Sequence, residues 1–98
     1  MSNEAKKADI SEIFIGNKPL MRYVIAAMLQ IKKENSAKIK GRGKFISKAV
    51  DAAEVARKKL KETDNMNIKH NIKVGTDEFV NEVGKKISVS TIELTLTN

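Results

Sequence analysis

The residues with the clearest capacity for chemistry lie in one stretch, KIKGRGKFISK, from 38 to 48. Five of them are basic, none is acidic, and two glycines flank Arg42. The apolar spacing of a helix starts directly after them, so the cations stand at a predicted helix N-terminus. Unpaired N–H groups and the helix dipole already make that end positive. The cluster therefore predicts an anion-binding site, where amides and cations converge on one ligand.

The first predicted helix begins in the same way. Asn17 or Lys18 stands at the cap position, Pro19 fits the first turn, and Arg22 follows one turn later. For either helix alone, lysines that extend into water are an equal alternative. The N-termini of the two predicted helices, with the loops before them, are here called the first and second helix entrances. Two basic entrances in a chain of net charge +7 favour anion binding. The candidate nucleic-acid-binding residues are Asn17, Lys18, Arg22, Lys40, Arg42, Gly43, Lys44, Lys48, Lys85 and Lys86.

The residues needed for nucleotide-binding loops, metal sites and catalysis are missing from the sequence. A P-loop needs Ser or Thr after its Gly-Lys pair, where this chain has Phe45, and a dinucleotide fingerprint needs a third glycine where Ile46 stands. The chain has no cysteine, and its only histidine, His70, falls on the apolar face of a predicted strand, which is typical of a structural histidine. We expect no enzymatic activity, no metal site and no cofactor.

The composition agrees with a polyanionic partner. The chain has 98 residues, 41% of them hydrophobic, and a pI of about 9.7, which predicts one small basic domain. We expect a cytoplasmic protein, because the sequence has neither an apolar signal-peptide core nor a stretch of ~18 apolar residues. Peripheral membrane binding is the alternative, but it needs free apolar residues, and the apolar stripes here are predicted to form the core.

Hydrophobic periodicity predicts an α+β fold of order β-α-β-α-β-β, a two-layer sandwich in which a four-stranded mixed sheet carries both helices on one face. Residues 10–98 form the domain, and residues 1–9 form a flexible, solvated tail. The predicted strands are residues 10–15, 37–41, 67–75 and 87–97, and the predicted helices are 19–34 and 44–62.

Several finer features are also predicted. The first helix is apolar on more than one face, which indicates deep burial. Residues 76–86 form a long β3–β4 hairpin arm, either an arm for a nucleic-acid groove or a flexible loop. The apolar phase slips near Ser90–Thr91, which predicts a β-bulge or a change in the role of the two faces. Phe14, Tyr23 and Phe45 fit core positions, so base stacking is poorly supported.

The segments GNKPLMRYV (16–24), IKGRGKFISKAVDAAEVAR (39–57), IKVGTDE (72–78) and SVSTIEL (88–94) resemble the Alba family of archaeal chromatin proteins. The resemblance implies a homodimer that binds double-stranded DNA, and often RNA, without strong sequence preference. It implies that the body contacts phosphates, that the hairpins follow the minor groove, and that the protein packages DNA in the nucleoid. An RNA-binding role in RNA maintenance or a ribonucleoprotein complex is the alternative.

The resemblance also assigns roles to positions. Lys18, Arg42, Lys44 and Lys48 match nucleic-acid-contacting positions, and Lys85 and Lys86 lie in the arm region. Family members often have two lysines before the proline, the first of which is acetylated. Here Asn17 takes that place, so Lys18 is the candidate substitute, which implies an acetyltransferase and a deacetylase as partners. Leu60 stands where the family often has an aromatic residue that mediates contacts between dimers.

Overall fold

The computed structural model describes residues 12–98, and it confirms the predicted class and element order. The predicted tail, residues 1–9, and the start of the predicted first strand lie outside the described residues. A short 3-10 turn, Gly43–Phe45, precedes the second helix. The elements are β1 (Glu12–Phe14), α1 (Leu20–Glu34), β2 (Ser36–Arg42), α2 (Ile46–Asp64), β3 (Lys69–Val80) and β4 (Lys86–Thr97).

The four strands form one mixed sheet in the order β1-β2-β4-β3. β1 pairs with β2 in parallel, and the other two pairings are antiparallel. One face of the sheet packs against the helices, because alternate residues of β2 and β4 are apolar and buried there. The core also takes in alanines of α2, whose small side chains let the helix approach the strands closely. The buried strand residues are Ala37, Ile39, Ile92, Leu94 and Leu96.

The opposite face of the sheet, here called the open face, carries the intervening residues of each strand. Glu12, Phe14, Lys38 and Lys40 lie on it, and its side chains are half-buried or exposed. Phe14 is 65% exposed, so its predicted place in the core is wrong. Its partner in the β1–β2 register is Lys40, which is on this face, whereas the core lies on the other. Tyr23 is buried as expected, and Phe45 is half-buried against the core.

α1 presents a second apolar stripe to solvent. Met21, Ile25 and Leu29 recur every four residues and are all exposed, so the prediction of burial on more than one face is wrong. Only the stripe that includes Val24, Ala27 and Ile31 faces the sheet. In a two-layer fold a helix has one partner layer, which leaves its outer face to solvent.

The helix ends differ in detail from the prediction. α1 begins at Leu20, with Pro19 at the cap position in an extended conformation and without a side-chain hydrogen bond, so neither Asn17 nor Lys18 caps it. At the end of α2, a hydrogen bond from the Thr63 hydroxyl and the Lys32 ammonium 3.3 Å away lower the pKa of the Asp64 carboxyl. The ion pair joins the ends of the two helices.

The β3–β4 hairpin is longer and more regular than predicted. β2 pairs with β4 only up to Arg42 opposite Thr91, whereas β3 pairs with β4 as far as Val80 opposite Lys86. Residues 76–90 therefore project beyond the body as a paired β-ribbon, here called the arm. The register is unbroken at Ser90–Thr91, so the β-bulge is wrong and the change in the role of the faces is confirmed.

β3 itself is less buried than its alternation predicts. Every one of its residues is exposed, including Ile72 at 54% and Val74 at 72%. The strand is at the edge of the sheet, and the helices pack mainly against β1, β2 and β4. His70 is exposed as well, with Nδ1 3.6 Å from a carboxylate oxygen of Glu54, so the structure places it at the surface and not in the core.

Candidate nucleic-acid interface

The two helix entrances meet at one edge of the sheet. β1 and β2 are parallel, so the loops that follow them both emerge from the carboxyl ends of neighbouring strands. Lys48, in the first turn of α2, links them by donating hydrogen bonds to the carbonyl oxygens of Gly16 at 2.8 Å and Lys18 at 2.5 Å. The structure thus brings the two predicted basic clusters into one surface.

The first entrance is held by an aromatic hydroxyl and a lysine. The hydroxyl oxygen of Tyr23 accepts hydrogen bonds from the amides of Gly16 at 2.9 Å and Lys18 at 3.2 Å. Lys48 lies over the same ring, with Nζ 5.3 Å from its centroid. Lys48 therefore uses its charge within the fold, while the side chains of Asn17 and Lys18 are exposed.

The second entrance is held by the arm. Arg42 Nε is 3.0 Å from a carboxylate oxygen of Asp77, and its guanidinium carbon lies 5.5 Å from the centroid of the Phe79 ring. Both side chains of the ion pair are about half exposed. Asp77 thus pairs with one of the predicted site cations, and this ion pair joins the base of the arm to the body.

The two glycines of the second entrance have different roles. A Cβ at Gly41 would lie 2.7 Å from the carbonyl oxygen of Phe45 and 2.8 Å from Cβ of Ala49, so glycine is needed there for close packing against α2. Gly43 has φ +56°, in the left-handed region that favours glycine. It makes the turn that leads into the helix. Gly41 thus serves the packing of β2 against α2, and Gly43 serves the turn.

Six of the eight predicted cations form no ion pair within residues 12–98, and three of these six are exposed at the helix entrances. Lys18, Arg22 and Lys44 are all exposed, and they lie at the starts of α1 and α2. Lys40 is not at either entrance but on the open face. Its Nζ there lies 3.4 Å from a carboxylate oxygen of Glu12 and 3.8 Å from one of Glu93. The charge available at the entrances is thus smaller than the sequence indicates.

The arm ends in a basic turn. The side-chain oxygen of Asn81 accepts hydrogen bonds from the amides of Val83 and Lys85, and Gly84 adopts φ +80°. Lys85 and Lys86 are exposed at this tip. The tip is thus an ordered turn that presents two cations at the greatest reach of the arm.

Asp77 and Glu78 lie in β3, whereas Glu82 lies in the turn at the tip of the arm. Asp77 and Phe79 were not among the predicted site residues, because their contact with Arg42 depends on how far the β3–β4 ladder extends. Tyr23 was likewise assigned to the core alone. The pairing of Phe79 with Ile87 and of Asp77 with Val89 puts both side chains on the open face with Arg42, so the hairpin register was the signal that could have found them.

Leu60 cannot mediate a contact through its side chain. It is 0% exposed and belongs to the core, where it is among the largest fully buried side chains. Its predicted role in contacts between dimers is therefore wrong for this chain. In a helix of a two-layer fold, the stripe that includes Ala49, Ala53 and Ala56 faces the sheet, and Leu60 continues that stripe.

Within residues 12–98, no group of three or more His, Cys, Asp or Glu side chains is placed to hold a metal ion. Neither helix in the described part of the chain is both long and apolar enough to cross a membrane.

The fold and the paired basic entrances define a small α+β protein with a basic edge and a projecting β-ribbon. Residues 11–74 match the model of the Alba family, and the chain belongs to that family. The DNA/RNA-binding protein Alba of Methanocella arvoryzae is 44% identical over 85 residues, which cover 86% of this chain and 85% of the relative. The DNA/RNA-binding protein Alba of Methanococcus maripaludis is 43% identical over 86 residues, covering 86% and 93%.

A solved structure supports the same assignment. Alba from Thermoplasma volcanium superposes with a TM-score of 0.74 at 42% sequence identity, covering 89% of this chain and 99% of that one. The mixed sheet and two helices described above are therefore the family's architecture.

Proposed function

We propose that this chain binds the phosphate backbone of double-stranded DNA with little sequence preference and packages DNA in the archaeal nucleoid. One observation carries the proposal: the entrances of α1 and α2 share one edge of the sheet, where Lys18 and Lys44 are exposed and free of ion pairs within the described residues. Relatives that are named DNA/RNA-binding proteins support it. Phosphate contacts fix position without reading bases, so low sequence preference is expected.

The arm extends the proposed contact. Lys85 and Lys86 at its tip are exposed, and a two-stranded ribbon has the width to follow a groove of a duplex. The body would hold phosphates at the two entrances, while the tip follows the minor groove. Asp77 and Glu78 oppose this contact by repulsion, so the arm contributes less affinity than its length indicates.

We infer that the chain acts as a homodimer through the outer part of β3 and the neighbouring face of α2. Ile72 and Val74 are exposed on the helix side of β3, and Val50 is 37% exposed one turn before Glu54, which reaches His70. A second copy related by twofold symmetry would cover this apolar surface. Sedimentation should give twice the chain mass of 10.9 kDa, and a single-chain mass at micromolar concentration would contradict it.

Acetylation at the first entrance would regulate binding. Lys18 is exposed and lies two residues before the start of α1, so an acetyltransferase can reach it and neutralise one of the few free cations. A deacetylase would restore the charge. Mass spectrometry of the protein purified from its cells would find acetyl-Lys18, and a fully unmodified Lys18 would contradict this part of the proposal.

RNA is the second candidate ligand, because the relatives are named for both nucleic acids and both backbones are polyanionic. A role in RNA maintenance or in a ribonucleoprotein complex would use the same cations. Competition between duplex DNA and structured RNA of equal length, at fixed salt, separates the candidates. Displacement of the DNA by an equal amount of RNA would favour the second one.

The salt dependence of affinity tests the main proposal. For backbone binding, the logarithm of the association constant should fall linearly with the logarithm of salt concentration, by about 0.9 for each phosphate neutralised. Several duplexes of one length and unrelated sequence should give the same line. An affinity that is unchanged between low and physiological salt, or that depends on one sequence, would overturn the proposal.

A further inference from the structure

The open face of the sheet carries an aromatic side chain that the proposed contacts with duplex DNA do not use. Phe14 is 65% exposed, in a chain whose aromatic content is 4%. Its ring does not pack into the core, and it lies just before the first helix entrance. Unlike the buried Tyr23, the Phe14 ring is therefore available for base stacking.

The register aligns Phe14 with charged side chains across all four strands. Phe14 is opposite Lys40, Lys40 is opposite Glu93, and Glu93 is opposite Lys73. Neighbouring strands lie about 4.8 Å apart, so the row spans roughly 14 Å. Lys40 Nζ is 5.5 Å from the centroid of the Phe14 ring. One row thus offers a flat apolar ring, two cations and a carboxylate that can accept hydrogen bonds.

A groove runs along this row towards the base of the arm. Its volume is about 590 Å³, and its lining includes Phe14, Lys40, Arg42, Lys73 and Gly75. This volume is within the range of ~300–1,000 Å³ found for sites that bind small molecules. Because Gly75 has no side chain, nothing projects from β3 into the groove beside Thr91. The volume and the lining residues of the groove therefore suit a nucleotide.

We propose that this groove binds an unpaired nucleotide of single-stranded nucleic acid, with its base stacked on Phe14. Lys73 would meet one flanking phosphate, and Lys40 would exchange its ion pairs with Glu12 and Glu93 for another. Glu93 would then accept a hydrogen bond from a ring or exocyclic N–H group of the base. The proposal rests on the proposed nucleic-acid binding and adds to it a second class of ligand. A duplex cannot use the ring, because its bases are already stacked on one another.

The groove also continues the surface described above. Arg42 belongs both to its lining and to the second helix entrance, so a single strand could pass from the open face to the basic edge beside Arg42. The groove itself is nearly balanced, because Lys40, Arg42 and Lys73 face Asp77 and Glu93. Stacking, and not charge, is therefore expected to dominate affinity at this site, with a weak dependence on salt.

A tryptophan at position 14 provides a direct readout. The chain has no tryptophan, and its single tyrosine, Tyr23, is buried, so a Phe14→Trp variant would carry one selectively excited fluorophore on the open face. Ten-residue oligouridine, oligothymidine and a ten-base-pair duplex would be titrated in parallel. We expect quenching with the single strands and none with the duplex. Comparing the quenching by oligouridine with that by oligothymidine shows whether the groove prefers RNA or DNA.

The matching affinity measurement uses Phe14→Ala. Loss of one stacked base should lower affinity for the single strands by about 5-fold or more and leave duplex affinity unchanged. Met21→Ala, another exposed apolar residue but on α1, is the control and should change neither. Because Phe14 is exposed, the thermal midpoint of Phe14→Ala should stay near that of the original chain.

The outcomes separate the two proposals. Absence of quenching, or an equal loss of single-strand and duplex affinity in Phe14→Ala, would overturn the stacking site even if duplex binding follows the expected salt line. Failure of the original chain to bind duplex DNA would overturn the proposed function, while quenching by single strands would still support the groove.

Discussion

The two helix entrances have similar sequences, but the fold uses their cations differently. At the first entrance, Lys48 points back into the loop and binds two carbonyl oxygens, which leaves Lys18 exposed. At the second, Arg42 is paired with Asp77 of the arm, which leaves Lys44 exposed. Lys48 and Arg42 therefore maintain the structure, while Lys18 and Arg22 at the first entrance and Lys44 at the second are available. The number of cations in a basic cluster is not the number that can meet a ligand.

The largest expected effect comes from removing one available cation at each entrance, Lys18 and Lys44. At ~0.15 M salt, loss of one phosphate contact with a slope of about 0.9 should weaken duplex binding by about 5-fold. Lys18→Ala and Lys44→Ala should each show this loss, and the double variant about 30-fold, because the two sites act independently. Fluorescence anisotropy with labelled duplex, repeated at several salt concentrations, measures both the affinity and the slope.

Lys33→Ala is the matched control, because it removes the same charge from the last turn of α1, at the opposite end of that helix. It should weaken binding by much less than either entrance variant. Equal losses in all three variants would show that net charge, and not the helix entrances, determines affinity. In that case the comparison of the entrances would no longer explain binding.

Sequence patterns predicted the architecture well. Helical spacing located both helices, and strand alternation located the four strands, because the burial of one face leaves a periodic signal. The two basic clusters were also visible, since cations at a helix N-terminus contradict the usual preference. That these clusters form one surface depends on the parallel pairing of β1 with β2, which the order of elements implied.

The features that the sequence patterns failed to predict depend on how distant elements pack and pair. Alternation placed Ile72 in a half-buried strand, but the two helices do not extend over β3. Phe14 reads as apolar and was assigned to the core, although its phase along β1 puts it on the open face. The pairing of Arg42 with Asp77 joins residues 35 positions apart through the register of the arm. None of these is a local property of the sequence.

A smaller effect on binding is expected from Lys48→Met, which keeps the aliphatic stem but removes the ammonium. The carbonyls of Gly16 and Lys18 would lose their donor, at a cost of about 1–3 kcal/mol in the free energy of unfolding. Denaturant unfolding measures that loss directly. Duplex affinity should fall by only a few-fold, through disorder of the first entrance.

Lys44→Met is the comparison for Lys48→Met. It should leave stability unchanged, because the side chain of Lys44 is exposed, and weaken binding by about 5-fold at ~0.15 M salt. If Lys48→Met instead kept full stability and lost as much affinity as Lys44→Met, Lys48 would be a direct phosphate contact. The division into structural and available cations would then be wrong at the first entrance.

The smallest expected effect on duplex affinity concerns the second entrance, and it is a gain and not a loss. Asp77 competes with phosphate for Arg42, so Asp77→Asn should tighten duplex binding. An exposed ion pair contributes about 0.2–1 kcal/mol, which corresponds to a gain of roughly 1.5- to 5-fold. The slope against salt should also steepen, because Arg42 becomes free to neutralise a phosphate.

Repulsion between Asp77 and phosphates would also be relieved by this change, so the control must separate the two causes. Glu78→Gln removes the same charge one residue away, on the other face of the arm, where Glu78 lies beside Ser88 and not beside Arg42. The gain from Asp77→Asn should exceed that from Glu78→Gln, and it should largely vanish in an Arg42→Ala background. Equal gains from both variants, unchanged by loss of Arg42, would mean that the arm repels DNA generally. Arg42 would then be as available as Lys18, and the two entrances would be equivalent.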